Sequence, residues 1–357
     1  MMTHFSNRRN FLRTSLLGGL AVATAPRLAS LVHAANESAV PEPTSRVALF
    51  HGDDRADIAF RALKVHEQEV RRAIGSRQVV IKPNNVAIDN QLCATHAGCL
   101  EGILEFLKSI GKLQNTVIAE SAADGPTLDG FENYHYTDLA RKFSVKLIDL
   151  DGQEVERVHV FDEKDFRPHP VRMSKLLLDR NSFVISAAKM KTHDRIVATL
   201  SLKNIILGAP VKDPGFRWGN GAKPGAKTDK PVVHGNGFRA LNYNLFDLSR
   251  RLSPRLAVID GYDGMEGNGP TGGTLVEHRV CVASPDWLAA DRVAVELMGI
   301  DFAKVGYLNY CAQAGLGQGD LQKITVVGES IAAHVRRYRL ADNIDKQLVW
   351  MTPPKPI

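Results

Sequence analysis

Eight short apolar runs punctuate the chain: Arg46 to Phe50, Gln78 to Ile81, Thr116 to Ala119, Val145 to Ile148, Phe183 to Ser186, Leu256 to Ile259, Val280 to Ala283 and Ile324 to Val327. Most are near-continuous in Val, Ile and Leu, the pattern of strands covered on both faces. Between them lie stretches whose apolar residues recur at helical spacing. Leu100, Ile103, Leu104 and Leu107 run up to Gly111, and Phe238, Leu241, Leu245 and Leu248 run up to Pro254. Each stripe ends at a residue that stops a helix. A further helix is expected after Ser284, with Asp286 near its start favouring the helix dipole and Asp291 inside it. Strands alternating with helices predict an α/β fold, a mostly parallel sheet with helices on both faces. From Lys212 to Gly237 the rhythm breaks into a Gly/Lys/Pro-rich loop insertion, either a lid over a site or decoration. The segment from Ser330 to Ile357 reads as a peripheral tail.

The start of the chain follows a different logic. Ser6-Asn7-Arg8-Arg9-Asn10-Phe11-Leu12-Arg13 sets two adjacent arginines before an apolar run from Leu16 to Ala25. That order matches a twin-arginine signal peptide, and Val32-His33-Ala34 offers the small residues a signal peptidase reads. The apolar run is about half the length a membrane-spanning helix needs, so a cleaved leader over 1–34 is expected rather than an anchor. The reading implies export in the folded state by the twin-arginine translocase to the periplasm, or another extracytoplasmic space, and no integral membrane segment after cleavage. Residues 35–45 read as a linker and 46–329 as a single domain.

The leader also changes the meaning of the charge. Formal net charge is +6 at pH 7, but four arginines and no acids lie in residues 1–34, leaving 41 basic against 39 acidic side chains. A nearly balanced mature chain carries no electrostatic footprint for nucleic acid. At 357 residues and 44% hydrophobic composition, it has material for a substantial core. Its four cysteines, Cys93, Cys99, Cys281 and Cys311, contain no C-x-x-C, so no iron-sulfur cluster or zinc knuckle is written in the local sequence. Cys93 and Cys99 are either a disulfide or free thiols, while Cys281 sits in an apolar strand pattern.

In an open parallel sheet, ligands collect outside the carboxyl ends of the strands, so the residues just after each apolar run carry the functional signal. Lys82-Pro83-Asn84-Asn85 follows the second run, Glu120-Ser121 the third, Lys189-Met190-Lys191-Thr192-His193 the fifth, and Asp260, Asp263 and Glu266 the sixth. Repetition at four strand ends predicts one shared cleft. Lys82, Asn84, Asn85, Lys189, Lys203, Asn204 and His234 have the cations and amides to hold a carboxylate or phosphate. His193, Lys191 and Glu120 are the proton-transfer candidates. The adjacent lysines either depress one another's pKa to free a base or both bind an anion, and anion binding needs less arrangement. Asp260, Asp263 and Glu266 supply hard oxygen donors for a divalent metal, or belong to a hydrogen-bonded, glycine-hinged loop. Gly267, Gly269 and Gly272 have G-x-G-x-x-G order but lead into a strand, which argues against a dinucleotide fingerprint. His96 reads as a structural histidine.

Taken in order, Ile81-Lys82-Pro83-Asn84, Ala188-Lys189-Met190-Lys191-Thr192-His193, Thr199-Leu200-Ser201-Leu202-Lys203-Asn204, Asp260-Gly261 and Met265-Glu266-Gly267-Asn268-Gly269-Pro270 resemble the blocks of the family called domain of unknown function 362 (DUF362). Ser284-Pro285-Asp286, Asp291 and Leu297-Met298-Gly299 are similar to its closing blocks. The resemblance spans about residues 46 to 329. It implies no settled activity; some members carry ferredoxin-type domains with paired C-x-x-C motifs, which this chain lacks. The expectation is an envelope enzyme acting on a small anionic substrate. The competing readings are a non-catalytic ligand or cofactor carrier for an envelope redox system, and a redox enzyme with a nucleotide cofactor.

Overall fold

The computed structural model describes residues 45–219 and 221–352. The leader, its cleavage point and all but the last residue of the linker lie outside the described residues. Eleven strands are present among them: β1 (Ser45–His51), β2 (Gln78–Lys82), β3 (Thr116–Glu120), β4 (Lys146–Asp149), β5 (Val155–Phe161), β6 (Pro168–Ser174), β7 (Ser182–His193), β8 (Val197–Thr199), β9 (Leu256–Asn268), β10 (Gly272–Ser284) and β11 (Ile324–Gly328). The main sheet has the order β11-β1-β10-β9-β7-β2-β3-β4, with β8 folded back on β7 and a separate β5-β6 hairpin. Pairing is parallel from β9 through β7, β2 and β3 to β4 and between β1 and β11; β10 runs against both its neighbours.

Burial on both faces explains the apolar strand composition. Val80, Val117, Val184 and Ile259 pack into one core, while Val79, Ile81, Ile118, Ile185 and Val258 pack into another, the period-two division of side chains across a sheet. The helix Ala97–Ser109 buries Leu100, Ile103, Leu104 and Leu107 in the second core. Phe238–Ser249 buries Leu241, Leu245 and Leu248 in the first, together with the helix Trp287–Leu297. Asp286 caps that last helix by accepting from the Leu288 and Ala289 amides at 3.1 Å each. His96 caps Ala97–Ser109 through Nδ1, which accepts from the Gly98 amide at 2.9 Å.

Two expectations need correction. The glycine-rich stretch after Asp260 is not a hinged loop: β9 continues to Asn268 and pairs antiparallel with β10, because Gly-rich backbone here still completes a ladder with its neighbour. The segment after Ser330 is not peripheral. Tyr338 and Gln347 are buried, and Gln347 accepts from the Val197 amide at 2.6 Å and donates to the His193 carbonyl at 3.0 Å. Val197 has φ of 66°, unfavourable for a β-branched residue, so the turn after β7 is held from outside by the tail. Of the two readings open for Cys93 and Cys99, the structure has free thiols, and all four cysteines are buried.

Candidate functional site

Strands β2, β3 and β7 end at one cavity of about 240 Å3, walled by Lys82, Asn84, Asn85, Glu120, Ser121, His193, Lys203, Asn204, Lys230 and His234, among others. The helix Ser201–Gly208 brings Lys203 and Asn204 to it. Asp291 anchors that helix, its carboxylate accepting from the Ser201 amide at 2.8 Å and the Leu202 amide at 3.1 Å. Gly208 closes the helix where a Cβ would overlap Cε and Nζ of Lys82, so only glycine leaves room for that lysine.

One wall is a closed network. Lys82 Nζ donates to the Pro83 carbonyl at 2.8 Å, to Asn204 Oδ1 at 3.0 Å and to Glu120, whose oxygens lie at 2.8 and 2.9 Å. Glu120 also accepts from the Asn85 amide at 2.9 Å and the Ser121 amide at 2.8 Å. With both oxygens taken by fixed donors, Glu120 ties the ends of β2 and β3 together and positions Lys82; this geometry does not suit the proton-transfer role expected of it. Asn204 is likewise used up, donating to the Lys82 carbonyl at 3.1 Å and Ser186 Oγ at 3.0 Å while accepting from Asn84 Nδ2 at 3.1 Å.

The open polar groups are different ones. Asn84 Oδ1 is buried without a partner, and Lys203 is 6% exposed with no hydrogen bond or ion pair among the described residues. Burial and the nearby Lys191 push the Lys203 amine down to about 7. Burial also lowers Lys230 to about 7, against the pull of Asp151 and Glu120, but Lys230 Nζ donates to the carbonyls of Pro210 at 2.7 Å and Gly208 at 3.5 Å. Burial and the Lys203 charge lower His193 to about 3 and His234 to about 4, so both are neutral at pH 7.

Hydrogen bonds fix the tautomer of His234 but not that of His193. His193 Nδ1 has two contacts that call for opposite tautomers: the Arg195 amide donates to it at 2.9 Å, and Asp194 Oδ1, which only accepts, lies 3.2 Å away. His234 Nδ1 faces the Lys230 carbonyl at 3.2 Å and must donate, which leaves Nε2 a bare lone pair. The cavity therefore has one imidazole acceptor, His234 Nε2.

The other predicted residues lie apart from these. Lys191, lowered to about 8 by burial, donates to the Cys93 carbonyl at 2.8 Å and the Pro270 carbonyl at 3.4 Å. Lys189 faces Asp260 at 3.7 Å. The expected metal triad is not assembled. Asp260 is fully buried between Lys189 and Arg55, whose attraction outweighs burial and holds its carboxyl below the usual range. Asp263 pairs with Arg55, and Glu266 instead accepts from the Arg339 amide at 2.9 Å. Acids already neutralised by Arg55 and Lys189, with Glu266 turned to the Arg339 amide instead, do not make a common donor set. Among the described residues, the three ligand-type side chains that do gather within 4.8 Å are Asp162 and Asp165, on the β5-β6 turn, and His169, at the start of β6.

Lys230, Arg195 and Trp218 escaped sequence reasoning. Trp218 and Lys230 belong to the Lys212–Gly237 insertion, whose base is pinned by Arg172 to Asp213 at 2.8 Å and Asp229 at 2.9 Å. Trp218 is 57% exposed at the cavity wall. Four cations, Lys82, Arg195, Lys203 and Lys230, thus face two acids, Glu120 and Asp194.

Fold and site together define an α/β protein with an electropositive cavity at the carboxyl ends of parallel strands. The profile of the domain of unknown function 362 (DUF362) matches residues 79–296, and the chain belongs to that family. It is also similar to the thylakoid-associated protein sll1697 of Synechocystis, with 25% identity over 242 residues, covering 67% of this chain and 68% of the relative.

Proposed function

We propose that this chain is an exported envelope enzyme whose cavity binds a small anion and moves a proton on it. The observation carrying the reading is Lys203, a buried amine with no hydrogen bond or close ion pair among the described residues, in a cavity where cations exceed acids. Burying a charge unpaired is costly, and an anionic ligand would relieve that cost. Lys203, Lys230 and Arg195 would hold the anion, Asn84 Oδ1 would accept from a substrate hydroxyl or amine, and His193 and His234 would donate and accept protons. Lys82, Glu120 and Asn204 position this wall, and no step is routed through a metal.

The test is thermal unfolding of the mature protein in chloride, phosphate and succinate. At an anion concentration of 100 times Kd, a ligand that binds only the folded state adds about 2.7 kcal/mol. Stabilisation by phosphate or succinate that disappears in Lys203→Met/Lys230→Met supports the proposal. Equal behaviour of wild type and variant overturns it. Export rests on Arg8 and Arg9, and Arg8→Lys/Arg9→Lys should retain the full-length protein in the cytoplasm. Unchanged delivery to the envelope would remove the twin-arginine reading. No helix among the described residues is long and apolar enough to cross a membrane.

A further inference from the structure

Four lysines reach the cavity or its immediate surroundings, and three are already engaged. Lys82 is paired with Glu120, while Lys191 and Lys230 each donate to two carbonyl oxygens. Lys203 alone of the four has no acceptor among the described residues. Its amine is thus the one that no protein acceptor holds in place, free to turn toward a ligand in the cavity. We infer that Lys203 is a Schiff-base nucleophile, and that the ligand is a small 2-oxo carboxylate. The inference rests on the anion-binding reading and names the substrate class for that same site.

The surroundings supply what imine formation requires. The amine of Lys203 attacks the carbonyl carbon, and the carbonyl electron pair moves to oxygen. A proton passes from nitrogen to oxygen to give a carbinolamine, the nitrogen loses a second proton, and the hydroxyl takes up a proton and leaves as water. Amine plus carbonyl therefore gives imine plus water, with no oxidant or reductant. His234 Nε2, a bare lone pair, accepts the proton leaving nitrogen, and His193, in the tautomer that its contact with the Arg195 amide favours, donates a hydrogen bond from Nε2 to the developing oxygen. Lys230 and Arg195 are placed to hold the carboxylate, a planar group that Arg matches with two parallel N–H donors. The amine, depressed to about 7 by burial and by Lys191, is substantially unprotonated at neutral pH, the condition a lysine nucleophile needs.

The experiment traps the imine. The folded mature protein is incubated with pyruvate, with succinate or with acetone, reduced with sodium borohydride, digested and mapped by mass spectrometry. The expected result is a reduced pyruvate adduct on Lys203, little adduct with acetone, none with succinate, and loss of trapping in Lys203→Arg, which retains the charge. A pyruvate adduct confined to other lysines overturns the proposal. If pyruvate and succinate both stabilise the fold yet no adduct forms on Lys203, the imine is wrong and the anion site stands. If neither stabilises and no adduct forms, both fail. Because the adduct is mapped on the wild-type chain, the outcome does not depend on whether the variant folds.

Discussion

Replacing Lys82 with Met tests whether the wall of the cavity is the closed network described above. The substitution keeps most of the buried volume but removes the ammonium from Glu120, Asn204 Oδ1 and the Pro83 carbonyl. Both side chains of the pair are 1% exposed, so water cannot replace the lost partner. Removing one member of a buried ion pair costs about 3–5 kcal/mol, because the remaining charge is left uncompensated. Two backbone amides, of Asn85 and Ser121, still serve Glu120 and place the expectation toward the lower end of that range. Urea denaturation followed by circular dichroism measures the loss. Lys82→Met/Glu120→Gln removes the stranded charge and should be more stable than Lys82→Met alone, with a coupling energy above about 1.5 kcal/mol, in the range expected of residues sharing a network. A single-mutant cost below about 1 kcal/mol, or additive effects of the two changes, would refute the reasoning.

Gly208→Ala places a methyl group on Lys82 and should destabilise the fold by about 1–3 kcal/mol, the usual cost of overpacking; an unchanged urea midpoint would show that Lys82 moves aside freely. Gln347→Ala removes both bonds to the turn after β7, leaving the buried Val197 amide unsatisfied, and should cost about 1–3 kcal/mol while weakening anion binding; unaltered binding would separate the tail from the site. Acid should destabilise the protein through His193 and His234. Their folded pKa values lie below the ordinary 6.5, so their stabilising contribution is complete above about 6.5 and is lost as pH falls through about 4 and then about 3. Unfolding free energies measured from pH 7 to pH 3 should fall less steeply in His193→Gln/His234→Gln; parallel curves would contradict the burial argument.

The core was legible in the sequence because strands buried on both faces cannot avoid long apolar runs. All eight runs fall on strands of the main sheet, and the helical stripes at Leu100 and Phe238 lie in helices. The β5-β6 hairpin was missed because it lies outside that sheet, with exposed Val155, Arg157 and His159 interrupting its apolar pattern. At the site, the strand-end rule found Lys82, Asn84, Asn85, Glu120 and His193, which line one cavity along with Lys203, Asn204 and His234. It could not separate Lys189 from His193, since residues four apart on one strand look equally placed until Asp260 claims the lysine. Nor could it select Lys230 from the lysines of the insertion, because burial of Lys212 and Lys230 and exposure of Lys223 and Lys227 depend on how Arg172 pins the loop ends. The acids of β9 looked like metal donors only while their cation partner Arg55, some two hundred residues earlier, was invisible.

The most direct measurement is a crystal structure of the mature protein grown with succinate. The account predicts a carboxylate between Lys203, Lys230 and Arg195, within hydrogen-bond distance of the Lys203 amine, and Lys82 still paired with Glu120. A cavity without the anion at saturating succinate, or the anion bound only on another face, would contradict it.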